Sequence, residues 1–334
     1  MNWIVVILGL ALLMVVHETG HLLAARAFGM RVVTFSVGFG PPLWRHQPHG
    51  SETIYQVALI PFLAYVQIAG MDPAEDVDPN DKGSYANAGL FARIAAIFAG
   101  PLANYLFASV FFFAAFMIGG KVTNRVDVQP NTPAARAGML DGDRIVRIGD
   151  SRITKWEELR TKVLGSAGKA LRIEVERDAV PVVLTVTPEA KGDSGAVIGV
   201  MAQPEPMPIS EALENSVVLP AQVVERLVVE LARIVTGQVK PELMGPVGIV
   251  KESKQAVDRG WSYYLMLLGI LSAYLGGFNL VPFPALDGGR LMFLTYEAVT
   301  RRRPNARIEA NVHKVGLLML LALILVVSVF DFTR

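Results

Sequence analysis

The sequence contains no cysteine, so disulfide bonds and thiolate metal ligands are both excluded. Charged residues make up only 18% of the 334 residues, while 52% are hydrophobic, a balance too apolar for an ordinary soluble enzyme. The net charge is +1 and no long basic block occurs, so we expect no nucleic-acid partner. These features favour a protein that crosses the lipid bilayer several times, and they leave histidine and carboxylate groups as candidate metal ligands.

A polar motif of the form His-Glu-x-x-His interrupts the first apolar run. Residues 3–16 are apolar, and His17-Glu18-Thr19-Gly20-His21 follows them. On a helix His17 and His21 lie one turn apart on the same face, where they can share a zinc ion while Glu18 accepts a proton from water. Ionisable groups at membrane depth are costly unless they have a function. The motif therefore predicts a hydrolytic zinc site, and the alternative is a polar helix end emerging from the bilayer.

Four segments are apolar and long enough to span a membrane, at about residues 2–25, 90–118, 261–282 and 315–330. The first lacks the charged start of a signal peptide, which favours an uncleaved span. At 1.5 Å per residue, His17 lies roughly 22 Å along this span, inside a ~30 Å hydrocarbon core. The loop 290–314 is rich in arginine, so the positive-inside rule predicts that it is cytoplasmic and that both termini are outside.

Residues 31–70 read as β-structure rather than as a span. Polar and apolar residues alternate from Val32 to Phe39 until Gly40-Pro41-Pro42 stops the pattern, and a second strand-like run covers residues 52–68, interrupted by Pro61. Such backbone lies at membrane depth only where protein or a water-filled cavity covers it. We predict a membrane-associated β-hairpin whose edge could hold an unwound substrate strand. An ordinary cytosolic hairpin is the alternative.

Two further spans carry polar residues that could complete the site. The second contains Gly100-Pro101 and Asn104, which predict close helix packing, and Asn104 could instead steady the zinc site or the substrate backbone. The third reaches Asn279 at about the depth of His17. Pro282 and Pro284 then break the helix, so that Asp287 can turn inward as a third zinc ligand. His46, His49 and His313 have no partner spacing, and we expect them at the surface or the membrane interface.

Residues between the second and third spans form soluble and amphipathic segments. The segment 133–145, with Gly138-Met139-Leu140-Asp141-Gly142-Asp143, resembles a PDZ domain of the bacterial, protease-associated kind. It implies a peptide groove or a substrate filter, and a spacer without ligand is the alternative. Helix 156–164 and strands 171–176 and 182–186 would complete this domain. Residues 210–237 predict an amphipathic helix, or a pair broken near Pro220, at the membrane surface.

Taken in order along the chain, these motifs resemble the site-2 protease family of zinc intramembrane metalloproteases, of the bacterial regulator-of-sigma-E protease type. The resemblance covers nearly the whole chain and is carried by five stretches of sequence: residues 17–21, 35–41, 99–104, 245–248 and 279–289. It implies that His17, His21 and Asp287 bind Zn²⁺ and that Glu18 is the general base and acid. It also implies that Asn279 helps to hold the substrate strand; Pro282, Pro284, Asn104 and Tyr65 are further candidates for substrate binding.

The resemblance further implies an endopeptidase that cleaves transmembrane segments of single-span membrane proteins, such as anti-sigma factors or remnant signal peptides, in regulated intramembrane proteolysis. Two departures stand out. The chain has length for one PDZ domain rather than two, and Pro61-Phe62-Leu63-Ala64-Tyr65 stands where relatives of this type carry a Pro-x-Gly-Gly-Tyr segment. Losing both glycines would stiffen the hairpin.

The predicted protein is therefore a polytopic α-helical membrane protein with about four transmembrane helices, a membrane-associated β-hairpin and an inserted PDZ-like α+β domain. Its predicted parts are an N-terminal membrane core (1–120), the PDZ-like domain (121–204), an amphipathic linker (205–260) and a C-terminal membrane core (261–334). We expect it in the bacterial inner membrane, with the PDZ-like domain and termini periplasmic and the active site toward the cytoplasm. The alternatives are a PDZ-bearing membrane adaptor without catalysis and a metal transporter.

Overall fold

The computed structural model describes residues 2–190, 195–239 and 244–333, with the backbone alone at residues 2, 61, 62, 121, 332 and 333. The chain divides into two compact units, one formed by residues 116–211 and the other by the residues on either side of them. The helices are α1 Asn2–Ala27, α2 Leu90–Gly119, α3 Pro133–Arg136, α4 Trp156–Leu164, α5 Ile209–Val235, α6 Pro246–Arg259, α7 Trp261–Asn279, α8 Asp287–Thr300 and α9 Ala306–Thr333. The strands are β1 Val32–His46, β2 Ile54–Ile68, β3 Lys121–Val128, β4 Arg144–Ile148, β5 Ser151–Arg152, β6 Leu171–Arg177, β7 Val180–Val186, β8 Glu189–Ala190, β9 Ala196–Val197 and β10 Val200–Glu205.

Four helices among the described residues are long and apolar enough to cross a membrane. They lie at Trp3–Ala27, Leu90–Gly119, Trp261–Asn279 and Ala306–Asp331, in agreement with the four predicted spans. Only 11% of the most apolar window of the last helix is buried within the protein. Its leucine and valine side chains therefore suit a lipid environment, where apolar surface needs no protein cover.

The first two spanning helices, α1 and α2, approach each other closely through small residues. A Cβ atom added to Gly20 on α1 would lie 2.2 Å from the carbonyl oxygen of Ala99 on α2. A Cβ atom added to Gly100 would lie 2.3 Å from Nε2 of His21. Side chains larger than hydrogen would therefore push the helices apart, as is typical of small-residue contacts between membrane helices. This is the close packing predicted for the second span.

Strands β1 and β2 form an antiparallel sheet that folds back on itself. Ser36 in β1 lies opposite Tyr65 on one side and Gln56 on the other, because β2 contributes two segments to the pairing. The prediction that Gly40-Pro41-Pro42 ends the first strand is wrong, since β1 continues to His46. The pairing shifts register between Phe39 and Pro42, and proline is tolerated in a strand at such irregularities.

The second unit, residues 116–211, is built around a sheet of six strands in the order β10-β3-β4-β6-β7, with β5 paired to β4. Its core consists of strand residues that point to the same side as helix α4, and Val126, Ile145, Ile173, Val175 and Val186 are fully buried there. The predicted helix 156–164 and the strands near 145–148, 171–176 and 182–186 are present. The assignment of this α+β unit as a PDZ domain and its predicted boundaries stay predictions.

Of the two alternatives for residues 210–237, one helix or a pair broken near Pro220, the structure has the first, whereas the expectation for residues 290–314 needs correction. Residues 209–235 form one continuous helix, α5, although Pro220 lies inside it. A proline removes one helical hydrogen bond, and packing of its neighbours can outweigh that loss. The segment 290–314 is not a plain loop, because α8 extends to Thr300 and α9 begins at Ala306. The short connection between them still holds Arg301, Arg302 and Arg303.

Candidate metal centre

Two histidines and an aspartate meet in the first unit. His17 and His21 project from the same face of α1, and Asp287 is the first residue of α8. Nε2 of His17 lies 3.2 Å from Nε2 of His21 and 3.2 Å from Oδ2 of Asp287, while Nε2 of His21 lies 3.4 Å from the same oxygen. Both histidines are 5% exposed. The helical spacing and the broken third span therefore bring the three predicted ligands together.

These distances fit a zinc ion. Tetrahedral bonds of 2.0–2.1 Å from zinc to nitrogen and oxygen place neighbouring ligand atoms about 3.3–3.4 Å apart, close to the three separations observed. Oδ2 of Asp287 is buried and has no conventional hydrogen-bond donor among the described residues. Three atoms with lone pairs facing one another in a buried space repel unless a cation lies between them. The ligand set, the burial and the spacing all suit Zn²⁺.

Both imidazole rings contact α2 through their Nδ1 atoms. Nδ1 of His21 lies 2.8 Å from the carbonyl oxygen of Ala96, so this nitrogen carries the hydrogen and leaves Nε2 free to bind metal. The amide of Asn104 lies 3.2 Å from Nδ1 of His17 and is fully buried. The backbone carbonyl of Asn104 accepts a hydrogen bond from the Ser272 hydroxyl on α7, which fixes this part of α2. Of the two roles predicted for Asn104, its position favours steadying the zinc site over binding substrate.

Glu18 stands beside the ligands and contacts the sheet. Its Oε2 atom accepts a hydrogen bond of 2.9 Å from the backbone N–H of Val66 in β2. The side chain is half-buried and lines the same cavity as His17, His21 and Asp287. A carboxylate that is held at the rim of a metal site and is not one of its ligands can accept a proton from water and pass it on.

The cavity has a volume of about 380 Å³ and is bordered by Tyr65 and Val66 of β2. Besides the metal cluster and Glu18, its lining comprises Met14, Tyr65, Val66, Met71, Asn279, Ala285 and Arg290. Asn279 ends α7 and donates a hydrogen bond from Nδ2 to the carbonyl of Leu275. The hydroxyl of Tyr65 accepts a hydrogen bond from Gln56. Asn279 and Tyr65, both predicted to bind substrate, therefore do line the cavity.

The two prolines predicted to bind substrate lie elsewhere. Pro282 is exposed, and Pro284 packs against Gly316 of α9; neither belongs to the described lining of the cavity. Their rigid backbone shapes the turn between α7 and α8 that delivers Asp287. The predicted contact of these two prolines with substrate stays a prediction.

Two residues near the site were not identified from the sequence. Arg290 follows Asp287 by three residues on α8, so it faces the same cavity, and it donates a hydrogen bond to the carbonyl of Met71. The helical spacing could have identified it. His313 of α9 was expected at the surface or the membrane interface; it is half-buried, and its Nδ1 atom accepts a hydrogen bond from the backbone N–H of Ala285. No local pattern points to that contact.

A buried ion pair joins the helices that carry the site. Arg93 of α2 donates two hydrogen bonds, of 3.0 and 2.5 Å, to the carboxylate of Glu297 on α8. Their side chains are 9% and 13% exposed. A bidentate pair of this kind fixes geometry as well as charge. It holds the helix of Asp287 against the helix of Asn104.

Two histidines and a glutamate on a helix long and apolar enough to cross a membrane, clustered with an aspartate from α8, define the class of membrane-embedded metallohydrolases. The sequence model of Peptidase family M50 matches residues 5–323. The chain belongs to this family. The predicted resemblance to site-2 proteases is thus confirmed.

Several relatives resemble the chain along nearly its whole length. It is 30% identical to Zinc metalloprotease RasP of Geobacillus kaustophilus, over 95% of this chain and 94% of that protein. It is 28% identical to Regulator of sigma-E protease RseP of Escherichia coli, over 98% and 97%. It is 29% identical to Zinc metalloprotease RasP of Oceanobacillus iheyensis, over 98% of both. The predicted enzyme class, a metalloprotease, and the predicted metal, zinc, agree with the family and with these names.

Proposed function

We propose that this protein is a zinc-dependent intramembrane endopeptidase that cleaves transmembrane segments of single-span membrane proteins, such as anti-sigma factors or remnant signal peptides. The observation that carries the proposal is the cluster of His17, His21 and Asp287 beside Glu18, in a cavity bordered by a strand edge. Membership of Peptidase family M50 and the likeness to RseP and RasP support it.

In the proposed mechanism His17, His21 and Asp287 hold the zinc ion. Zinc, when bound, lowers the pKa of a coordinated water and polarises the scissile carbonyl. Glu18 accepts the proton of the attacking water while the oxygen bonds to the carbonyl carbon. Glu18 then delivers that proton to the amide nitrogen as the carbon–nitrogen bond breaks, which leaves a carboxylic acid and an amine. The hydrogen bond from Val66 keeps Glu18 aimed at this position.

The substrate must unwind before it can react. A transmembrane helix hides its carbonyl groups in intrahelical hydrogen bonds, so an extended segment needs another source of backbone partners. The edge of β2 around Tyr65 and Val66 borders the cavity and could pair with such a segment by strand addition. Asn279 also lines the cavity, and we propose that its amide holds the substrate backbone.

The second unit offers a groove for a peptide. A cavity of about 570 Å³ lies between α4 and residues 196–200, lined by apolar side chains that include Trp156, Leu159 and Val163. We propose that a substrate terminus or a periplasmic segment binds here.

The alignment with E. coli RseP spans 441 positions, so roughly 100 of them have no counterpart in this chain of 334 residues. A missing second domain of this size, about 100 residues, would produce that difference.

The proposed location is the bacterial inner membrane. Arg301, Arg302, Arg303 and Arg307 cluster between α8 and the apolar part of α9, and by the positive-inside rule we infer that this connection is cytoplasmic. With four spans, both termini and the second unit would then be periplasmic. In this orientation α1 would enter from the periplasm, and His17, in its second half, would lie toward the cytoplasmic side.

The proposal is tested with the purified full-length protein in detergent and a tagged single-span reporter. We expect cleavage within the reporter's span, its loss with a zinc chelator, and its recovery when zinc is restored. The variant Glu18→Gln should lose at least 100-fold in rate, because general acid–base catalysis contributes roughly 10²–10⁴-fold. The same variant should still bind one zinc ion per chain.

The outcomes separate the rival functions. Cleavage by Glu18→Gln at the wild-type rate would remove Glu18 from the mechanism. Bound zinc without cleavage of any member of a panel of membrane reporters would favour a non-catalytic adaptor. Zinc flux into proteoliposomes would favour a transporter.

A further inference from the structure

The turn that delivers Asp287 contains a strained residue. Ala285, two positions before the ligand, has φ of 75°, a left-handed conformation that residues with a Cβ atom rarely adopt. It follows Pro284 and lines the metal cavity. Such a conformation persists only where surrounding contacts hold it.

Helix α9 supplies two of those contacts. Nδ1 of His313 accepts a hydrogen bond of 3.2 Å from the backbone N–H of Ala285. One turn further on, a Cβ atom added to Gly316 would lie 2.2 Å from Cβ of Pro284. The three-residue spacing places His313 and Gly316 on the same face of α9. This helix therefore meets the turn at two consecutive residues, Pro284 and Ala285.

The imidazole of His313 is itself fixed. Its ring packs against the Phe293 ring of α8, with centroids 5.6 Å apart. Because Nδ1 accepts a hydrogen bond from the Ala285 N–H, the ring hydrogen of the neutral imidazole resides on Nε2. His313 therefore connects α9 to the turn before Asp287 and to α8, the helix that Asp287 begins.

We propose that His313 is a positioning residue of the metal centre. By accepting a hydrogen bond from the Ala285 N–H, it holds the turn in the left-handed conformation from which Asp287 reaches His17 and His21. It acts through the turn and touches neither metal nor substrate. The inference rests on the proposed function only in requiring that the cluster binds zinc, so zinc affinity can test it apart from peptide cleavage.

The experiment measures zinc affinity by chelator competition on the full-length protein, together with reporter cleavage. His313→Leu keeps much of the bulk but removes the acceptor, and we expect zinc affinity to fall roughly 10–100-fold, as for other residues that orient ligands. His313→Asn keeps an acceptor oxygen close to the position of Nδ1, and its affinity should stay within about threefold of wild type. His49→Leu, at an exposed histidine, is the matched control and should bind zinc like wild type.

A second-site change tests the role of strain. Glycine adopts positive φ without a steric penalty. Adding Ala285→Gly to His313→Leu should therefore recover at least part of the lost zinc affinity, although the histidine acceptor is still missing. A role of His313 in packing alone predicts no such recovery, because glycine adds no contact.

The results decide the inference in both directions. Wild-type zinc affinity in His313→Leu would overturn it, as would an equal loss in His313→Asn or no recovery in the double variant. If wild type binds zinc but cleaves no reporter, the proposed function fails while the zinc constants still decide the role of His313.

Discussion

The ring orientations of His17 and His21, which we propose as metal ligands, are set by contacts with α2 rather than by their own helix. The carbonyl of Ala96 fixes which nitrogen of His21 carries hydrogen. His17 needs the same support, because an imidazole that binds metal through Nε2 carries its hydrogen on Nδ1. Oδ1 of Asn104 has no hydrogen-bond partner among the described residues, while its Nδ2 lies 3.2 Å from Nδ1 of His17. If the Asn104 amide is rotated by about 180°, Oδ1 accepts a hydrogen bond from the Nδ1–H group of His17. This role explains a fully buried asparagine in an apolar helix.

Replacement of Asn104 should therefore weaken metal binding. We expect Asn104→Leu, which is similar in shape but lacks an acceptor, to lower zinc affinity roughly 10–100-fold. Asn104→Asp retains an oxygen facing Nδ1 and should bind zinc within about threefold of wild type. Chelator competition measures both constants. Equal zinc affinity in Asn104→Leu and wild type would show that this side chain only fills space.

At the scale of secondary structure, the edge of β2 positions Glu18, the proposed catalytic base. Most strand N–H groups pair with another strand, but that of Val66 donates to the Glu18 carboxylate. The sheet and the metal-binding helix are thus coupled through one charge-assisted hydrogen bond, a kind that contributes about 1.5–3 kcal/mol. Because the same edge borders the cavity, a substrate strand added here would lie beside Glu18.

Val66→Pro removes this donor while keeping the residue extended. Proline is tolerated at a strand edge where its missing N–H is not part of the ladder. We expect the cleavage rate to fall roughly 10–100-fold, which corresponds to a loss of about 1.5–3 kcal/mol, with zinc affinity unchanged. Val66→Ala keeps the N–H and is the matched control, expected near the wild-type rate. A proline variant as active as the alanine variant would mean that Glu18 does not need this support.

Local patterns predicted the elements well, and long-range contacts account for what they missed. The spacing of His17 and His21 is a property of one helix turn, so the sequence alone shows it. Asp287 could be predicted because two prolines and the depth of its span mark a break. The contact of His313 with Ala285 joins a residue of α9 to the turn between α7 and α8 and follows no periodicity. The continuation of β1 through Pro41 and Pro42 likewise depends on its pairing with β2, because proline fits only where the strand ladder needs no N–H donor.

On the scale of the whole molecule, each unit has its own stabilising core and its own buried charge. In the second unit, Asp143 is 1% exposed and accepts two hydrogen bonds from Arg177, of 2.8 and 2.7 Å. Burial by itself raises the pKa of Asp143, but the hydrogen bonds from Arg177 and from the N–H of Leu140 outweigh it, and the pKa lies below its usual value. The pair joins the turn before β4 to the end of β6, two neighbouring strands of the sheet.

This pair should make the stability of the second unit depend on pH. A carboxyl group whose pKa is lower in the folded state stabilises the fold above its unfolded pKa, near 3.8, and loses that contribution as the pH falls through the lower, folded value. Asp143→Asn should therefore destabilise the unit by roughly 1–3 kcal/mol at pH 6. The difference in unfolding free energy between wild type and variant should decrease steadily below about pH 4.

Hydrogen exchange of the amides in β4, β6 and β7, measured in the full-length protein and corrected for intrinsic rates, reports this difference directly. Asp150→Asn, at an exposed carboxylate in the same unit, is the matched control and should follow wild type at every pH. A difference that persists undiminished at pH 3 would mean that the variant acts through lost packing rather than through lost charge. A difference in unfolding free energy that decreases with pH would instead assign the acid sensitivity of these strands to the buried ion pair of Asp143 and Arg177.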